Sequence, residues 1–192
     1  MNVLRILVAD DEGLHLMSLR GQLEKLGHRV IAEASDGKQA LELARELKPD
    51  LAILDIKMPA IDGIAAAETM MNERPLPIIL LSAYSEQDLA ERAASAHVSA
   101  YLMKPVSEND LLPAIGLAMS RFAEFQSLHH EVDDLREALE TRKLVERAKG
   151  ILMRRLNLTE DEAFRRLQRR SQNENKKLKE IAQAIITADE ML

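Results

Sequence analysis

Carboxylates, a hydroxyl and a lysine follow four short apolar runs in the first 105 residues of the chain. They are Asp10 with Asp11, Asp55, Ser82 and Lys104. Clustered carboxylates keep raised, coupled pKa values unless a cation lies among them, and a hard divalent ion with oxygen ligands, above all Mg2+, fits such a cluster. Beside such an ion an aspartate can act as a nucleophile and become an acyl phosphate. A lysine ammonium can pair with phosphoryl oxygens, and a serine hydroxyl can donate a hydrogen bond to them. This set of residues therefore predicts phosphoryl chemistry.

A scaffold must bring these distant residues together, and the apolar runs indicate which one. The runs are short, rich in Ile, Leu and Val, and bounded by turn-forming residues: RILVA (5–9), RVIAEA (29–34), DLAIL (50–54), PIILL (77–81) and SAYLM (99–103). Amphipathic segments separate them, and Gly27 stands where a helix C-terminal glycine would. Five such units predict an α/β domain with a doubly wound, five-stranded parallel sheet. The polar residues then converge at the carboxyl ends of the strands.

From Ser107 onward the sequence is nearly all helical. A 3/4 spacing of apolar residues predicts a short coiled-coil seam, formed by Phe125, Leu128, Val132, Leu135 and Leu139. Thr159 and Glu162 match a capping box, so a helix is expected from Thr159 to about Gln172. A last apolar stripe near Ile181 completes a small three-helix bundle. The predicted boundaries are 1–120 for the α/β domain, 121–141 for the coiled-coil linker and 142–192 for the bundle.

Charge divides the chain more sharply than its net value of -6 suggests. Residues 1–120 hold 11 Lys and Arg against 18 Asp and Glu, and residues 121–141 hold 2 against 6. Residues 142–181 hold 13 against 6. The basic end predicts an anionic partner such as nucleic acid, with a solvated helical surface as the alternative.

One helical face in the basic region carries Lys143, Arg147, Gly150 and Arg154 at 4/3/4 spacing. Glycine inside a helix costs roughly 1 kcal/mol relative to alanine. Gly150 therefore indicates close approach by a phosphate or partner backbone, or, equally, close packing within the bundle. The basic surface extends over Arg165, Arg166, Arg169, Arg170, Lys176, Lys177 and Lys179.

Aromatic content limits the kinds of nucleic-acid site. Phe164 is the only aromatic residue after Phe125, which excludes the base stacking of sheet-based RNA-binding domains. The long first helix does not suit a DNA-reading helix-turn-helix. Structured RNA, held by arginine planes and phosphate contacts, is the favoured partner.

Composition excludes several other classes. The chain has no cysteine, which excludes disulfides and Cys-based zinc sites, and its five histidines have no metal-ligand spacing and are predicted to be surface or packing residues. No apolar run reaches the roughly 18 to 20 residues that a membrane span needs, and the N-terminus does not look like a signal peptide. We expect no membrane partner and a cytoplasmic location.

The motifs ILVADDE, LAILDIKMPAIDG, LLSA and AYLMKP resemble the response-regulator receiver domain of two-component signalling, over residues 1 to about 120. The resemblance implies a flavodoxin-like fold with Asp55 as the phosphoacceptor. Ser82 would bond the phosphoryl group, and Lys104 would pair with it. Tyr101 would swing inward as Ser82 moves, although it could equally be a half-buried packing residue.

The same resemblance implies a metal site and a phosphodonor. Asp11 and Asp55 would bind Mg2+ directly, with the main-chain carbonyl of Lys57, and Asp10 would contribute through water. The donor would be a sensor histidine kinase. The protein would not be an enzyme in its own right, beyond hydrolysing its own phosphoaspartate.

A second stretch, RKLVERAKGILMRRLNLTEDEAFRRLQRRSQNENKKLKEIAQAII, resembles the ANTAR module of transcription antitermination regulators over residues 142 to about 187. One departure is Gln168, where a basic residue is expected. The resemblance implies binding to stem-loop RNA in nascent transcripts, with Ala148 and Ala163 in packing roles. Lys149 and Gly150 are the foremost candidates for contact. The full candidate set is Lys143, Arg147, Lys149, Gly150, Arg154, Arg169, Arg170 and Lys177.

Together the two resemblances predict a response regulator that pairs as a homodimer on phosphorylation and presents two basic bundles to RNA stem-loops. A signalling adaptor whose bundle binds a protein is one alternative. A regulator that binds duplex DNA is another.

Overall fold

The computed structural model describes residues 2–83 and 98–190. The chain divides into two compact units, Met1–Gln126 and Ser127–Leu192. The predicted boundaries at residues 120 and 141 stay predictions. Among the helices described, none combines the length and apolar character that a bilayer crossing requires.

The first unit holds a five-stranded parallel sheet with the strand order β2-β1-β3-β4-β5. This confirms the predicted doubly wound fold. In chain order its elements are β1 (Arg5–Ala9), α1 (Gly13–Lys25), β2 (Arg29–Ala34), α2 (Gly37–Leu47), β3 (Leu51–Asp55), α3 (Gly63–Glu73), β4 (Ile78–Ser82), β5 (Ala100–Met103) and the start of α4 (Glu108–Leu156). The helix expected between β4 and β5 falls on residues 84–97, outside the described residues.

The carboxyl ends of the strands are important because they position the residues of the predicted site. The first two strands match the predicted runs, whereas β3 and β4 each begin and end one residue later than predicted. Backbone pairing includes these last residues: Asp55 lies opposite Leu81, and Ser82 lies opposite Met103. Asp55 and Ser82 are therefore the last residues of their strands.

Apolar side chains cover both faces of the sheet, as a buried parallel sheet requires. Alternate residues of β1 point to opposite sides. Leu7 and Ala9 pack with α2 and α3, while Ile6 and Val8 pack with α1 and the first turns of α4. The helices begin and end at local signals: Asp36 and Asp62 cap the N-termini of α2 and α3, and Gly27, with φ of 83°, follows α1 as predicted.

The second unit is helical. It contains the C-terminal part of α4 together with α5 (Glu160–Glu174) and α6 (Leu178–Glu190). Their shared core is Val145, Ala148, Ile151, Leu167, Ile181, Ala182 and Ile186. The capping box at Thr159 and Glu162 is present as predicted. Helix α5 ends two residues beyond the predicted Gln172, where Asn175 adopts a left-handed conformation.

The predicted coiled-coil seam lies on α4 and its apolar side chains are exposed. Leu128, Leu135 and Leu139 are each about three-fifths exposed, and Val132 is somewhat less so. Phe125 stacks on Phe122 with ring centroids 6.2 Å apart. An apolar stripe of this length on a single helix leaves its surface available to a second chain.

Candidate functional site

Three carboxylates meet at the carboxyl ends of β1 and β3, which are neighbours in the sheet. Asp10 follows β1 and is fully buried, and its Oδ1 accepts a hydrogen bond from the backbone N–H of Glu12 at 3.0 Å. Asp55 ends β3 with 8% of its side chain exposed. Asp11 is exposed. One oxygen from each of Asp10, Asp11 and Asp55 lies within 4.8 Å of the others, so the predicted acidic cluster forms.

Lys104 follows β5 and reaches into this cluster. Its Nζ lies 2.7 Å from Oδ2 of Asp10 and 3.1 Å from Oδ2 of Asp55, with 14% of the side chain exposed. The backbone N–H of Lys104 also donates to the carbonyl of Ser82 at 2.7 Å, and the peptide bond to Pro105 is cis. The lysine is thus held between two strand ends with its charge directed at both buried aspartates.

Burial and neighbouring charges perturb the pKa values of this group. Desolvation raises the pKa of Asp55, the charge of Asp10 raises it further, and hydrogen bonding and attraction from Lys104 only partly offset the rise. Burial alone would lower the pKa of Lys104, but its hydrogen bonds to Asp10 and Asp55 leave the pKa raised overall. The ammonium therefore stays charged, but it offsets only part of the cost of burying ionised Asp55.

The donor set fits a hard divalent cation. The three candidate ligand residues found among the described residues all offer carboxylate oxygens, and the exposed Asp11 opens the cluster to solvent. Mg2+ prefers oxygen ligands and retains several waters, which such a half-open group allows. Asp10, Asp11 and Asp55 are the residues that would hold it. Lys57 lies two residues beyond β3 with an exposed side chain, and the role of its carbonyl stays a prediction.

Ser82 and Tyr101 lie on β4 and β5, which are neighbours in the sheet. Ser82 ends β4 and is almost fully buried. Tyr101 lies opposite Leu80 in the pairing of β4 with β5, and about a third of it is exposed. Partial exposure suits both a switching and a packing role, and both stay predictions for Tyr101.

Two residues beside the acidic cluster were not singled out from the sequence. His15 was expected to be a surface or packing residue, yet its Nδ1 lies 3.3 Å from both Oδ1 of Asp10 and Nζ of Lys104. Its position in the first turn of α1, directly after the run Asp10-Asp11-Glu12, was the available signal. Gly63 is the last residue of the motif LAILDIKMPAIDG, which predicted no role for it. A Cβ there would lie 2.9 Å from the carbonyl carbon of Asp55 and closer still to its oxygen. Another histidine, His97, lies outside the described residues.

The basic bundle presents its predicted contact residues in three different states. Within the described part of the chain, four carry exposed charges that make no ion pair: Lys143, Arg154, Arg169 and Lys177. Two are exposed but already paired, since Arg147 lies 2.7 Å from Glu190 and Arg170 lies 2.6 Å from Glu174.

The third state is that of Lys149 and Gly150, the foremost candidates from the sequence. Lys149 is buried and pairs with Glu146 and Glu160. Gly150 is half-buried, and a Cβ there would meet no heavy atom within 4 Å among the described residues outside its own helical neighbourhood. Close packing inside the bundle therefore does not account for this glycine, and the space beside it is open.

Comparisons with known proteins match both parts of the chain. Residues 6–116 match the response regulator receiver domain, and residues 133–186 match the ANTAR domain. A similar relative is the transcriptional regulatory protein PdtaR of Mycobacterium tuberculosis, which is 48% identical over 182 residues, 95% of this chain and 89% of that protein.

Solved receiver domains match the first unit. One is the receiver domain of the putative response regulator NarL from Mycobacterium tuberculosis, with 31% identity and a TM-score of 0.57 over 60% of this chain and 94% of that one. Another is the receiver domain of a modulated diguanylate cyclase from Desulfovibrio desulfuricans, with 31% identity and a TM-score of 0.60 over 64% and 98%.

Both matched modules are regulatory rather than catalytic, and they imply a phosphodonor such as a histidine kinase for the first and RNA for the second. The chain therefore belongs to the response regulators, in the group that joins an N-terminal receiver domain to a C-terminal ANTAR domain.

Proposed function

We propose that phosphorylation of Asp55 controls the binding of stem-loop RNA by the ANTAR bundle, and that the protein thereby acts as a transcription antiterminator. One observation carries this proposal. Asp55 is buried and has a raised pKa, and Asp10, Asp11 and Lys104 lie beside it at the carboxyl ends of the strands. The same chain carries a bundle with exposed cations that make no ion pair among the described residues.

The receiver chemistry follows from the placement of these side chains. An oxygen of Asp55 attacks the phosphorus of a phosphohistidine on a sensor kinase, so an O–P bond forms while the P–N bond breaks. Lys104 already lies 3.1 Å from Asp55 and needs only a small movement to pair with the new phosphoryl group. Ser82, at the end of the next strand, supplies the hydroxyl.

The cation site supports the same step. Asp10, Asp11 and Asp55 would hold Mg2+, with the carbonyl of Lys57. When bound, the ion neutralises charge on the transferring phosphoryl oxygens. The exposed Asp11 leaves the edge open to water, which suits slow hydrolysis of the phosphoaspartate by the protein itself.

Dimerisation would link the receiver to RNA binding. The exposed stripe at Leu128, Val132, Leu135 and Leu139 would pair with the same stripe of a second chain once phosphorylated receivers associate. With under three heptads the seam is weak alone, so it responds to an added contact between receivers. Two bundles on one dimer then bind two hairpins with the advantage of effective concentration.

The unpaired cations of the bundle are the proposed phosphate contacts. Lys143 and Arg154 lie on one face of α4 with the open space at Gly150 between them, and Arg169 and Lys177 are further exposed cations of the bundle. Because these charges have no acidic partner among the described residues, phosphates can approach them without displacing one. RNA affinity should therefore fall steeply as salt rises.

A gel-shift experiment tests the proposal. The phosphorylated full-length protein is titrated against a leader RNA with two hairpins and against duplex DNA of equal length, each with competitor. Preferential binding of the RNA is the expected result. Equal or tighter binding of the DNA would favour a DNA-binding regulator, and binding of neither would favour a signalling adaptor with a protein partner.

A further inference from the structure

Lys149 connects two helices of the ANTAR bundle. Its Nζ lies 2.9 Å from Oε1 of Glu146, one turn earlier on α4, and 2.7 Å from Oε1 of Glu160, the first residue of α5. The same Nζ lies 6.0 Å from the ring centroid of Phe164, one turn further along α5. Only 9% of the lysine side chain is exposed. Its contacts thus join α4 to the beginning of α5.

The charge of Lys149 is already matched within the protein. The hydrogen bonds that Lys149 donates to Glu160 and then to Glu146 raise the pKa of the lysine, and the lysine in turn lowers the pKa of Glu160. An RNA phosphate would have to displace one of these carboxylates to reach the ammonium. Lys143 and Arg154 on the same helix make no such pairs within the described residues, so they offer phosphates a site without this competition.

Helix α5 begins at a capping motif that does not involve Lys149. Formation of the helix and its position against α4 therefore depend on different residues. The capping box of Thr159 and Glu162 satisfies the first backbone N–H groups locally. Ala163 and Leu167 turn one face of α5 into the bundle core, which leaves Arg165 and Arg169 on the opposite, exposed side. The position of the first turn of α5 against α4 therefore affects the positions of these arginines.

We propose that Lys149 is a positioning residue: it fixes the first turn of α5 against α4, and so sets the place of the α5 arginines for RNA, without contacting RNA itself. This inference rests on the proposed RNA-binding function. It differs from the expectation drawn from sequence, in which Lys149 is a foremost contact.

Glu160→Gln separates the two roles by the sign of its effect. The substitution weakens the tie between α5 and α4 but leaves Lys149 and its charge in place. A positioning role predicts that RNA affinity falls, by about fivefold, although a negative charge has been removed. A contact role predicts the opposite, because a freed lysine and one fewer acidic group should both favour RNA.

Asp161→Asn is the matched control for the lost charge. Asp161 is the next residue, is exposed, and makes no ion pair within the part of the chain that the structure describes. It should bind RNA as tightly as the wild type or slightly more tightly. Lys149→Met keeps an unbranched apolar side chain at the site and removes the charge. It should weaken binding without changing the slope of log affinity against log salt.

The measurement is the dissociation constant of the full-length protein for the two-hairpin RNA over a salt series, at a temperature where circular dichroism shows each variant folded. Glu160→Gln binding as tightly as Asp161→Asn, or more tightly, would overturn the inference. So would a Lys149→Met salt slope smaller by about 0.7, the loss of one phosphate contact. If Lys149→Met does not fold, the comparison of the two acidic variants still decides. Failure of the wild type to bind this RNA would instead remove the proposed function.

Discussion

Gly63→Ala should destabilise the receiver domain at the backbone of Asp55. The N–H of Gly63 donates to the carbonyl of Ile56 at 2.9 Å, which draws the start of α3 onto the end of β3. An added Cβ would lie 2.9 Å from the carbonyl carbon of Asp55, 3.2 Å from Cα of Ile56, and nearer still to the oxygen of Asp55. All three are backbone atoms, so no side-chain rotation relieves the overlap. Strand or helix must move.

The expected cost is at the upper end of what overpacking produces, about 3 kcal/mol of unfolding free energy. Gly21→Ala is the matched control, since Gly21 lies inside α1 and a Cβ there meets nothing within 4 Å among the described residues outside its own helical neighbourhood. That substitution should stabilise the protein by about 0.5 to 1 kcal/mol, because alanine loses less backbone entropy in a helix.

Urea unfolding of the full chain, followed by tyrosine fluorescence, measures both effects. The chain has no tryptophan, and its two tyrosines, Tyr84 and Tyr101, both lie in the receiver match. With a slope of about 2 kcal/mol per M, Gly63→Ala should lower the midpoint by about 1.5 M. A midpoint equal to that of the wild type, or raised as for Gly21→Ala, would refute the assigned close approach to Asp55.

Four further outcomes are expected. Because burial raises the pKa of Asp55, the stability that this group contributes is present below its unfolded pKa and lost as pH rises through the folded one; Asp55→Asn should therefore raise the urea midpoint at pH 7 in EDTA. Mg2+ at ten times its dissociation constant should stabilise the wild type by about 1.4 kcal/mol and Asp55→Asn by much less, as the same titrations would show. Thr159→Ala removes the side-chain half of the capping box and should lower the thermal stability of the bundle by about 1 kcal/mol, measured by circular dichroism. Leu135→Glu places a charge in the exposed seam and should abolish dimerisation driven by acetyl phosphate in sedimentation velocity, while monomer unfolding stays unchanged.

The receiver fold was predictable because two independent periodicities agree. Apolar runs of strand length alternate with amphipathic helical segments, and the polar residues that follow the runs can meet only at one edge of a parallel sheet. Sequence placed Asp10 beside Asp55 for that reason. It missed the strand ends by one residue at Asp55 and Ser82, because backbone pairing with a neighbouring strand, not side-chain polarity, determines where a strand stops.

The bundle shows where sequence stops being informative. Spacing along α4 assigns Lys149 to one side of a helix, but it does not reveal that Glu160 from another helix lies 2.7 Å away. Likewise, an isolated glycine signal at Gly150 does not distinguish a crowded neighbour from open space. Both questions concern atoms supplied by a second element, and only the packed structure provides them.

RNA affinity as a function of receiver phosphorylation tests most directly whether Asp55 controls the ANTAR bundle. Wild-type and Asp55→Asn proteins are titrated with the two-hairpin leader RNA and with a single-hairpin fragment, with and without acetyl phosphate and Mg2+. If phosphorylation controls RNA binding, acetyl phosphate tightens wild-type binding to two hairpins by at least about tenfold, has little effect with one hairpin, and has none on Asp55→Asn. An equal response from Asp55→Asn, or no response from the wild type, would contradict it.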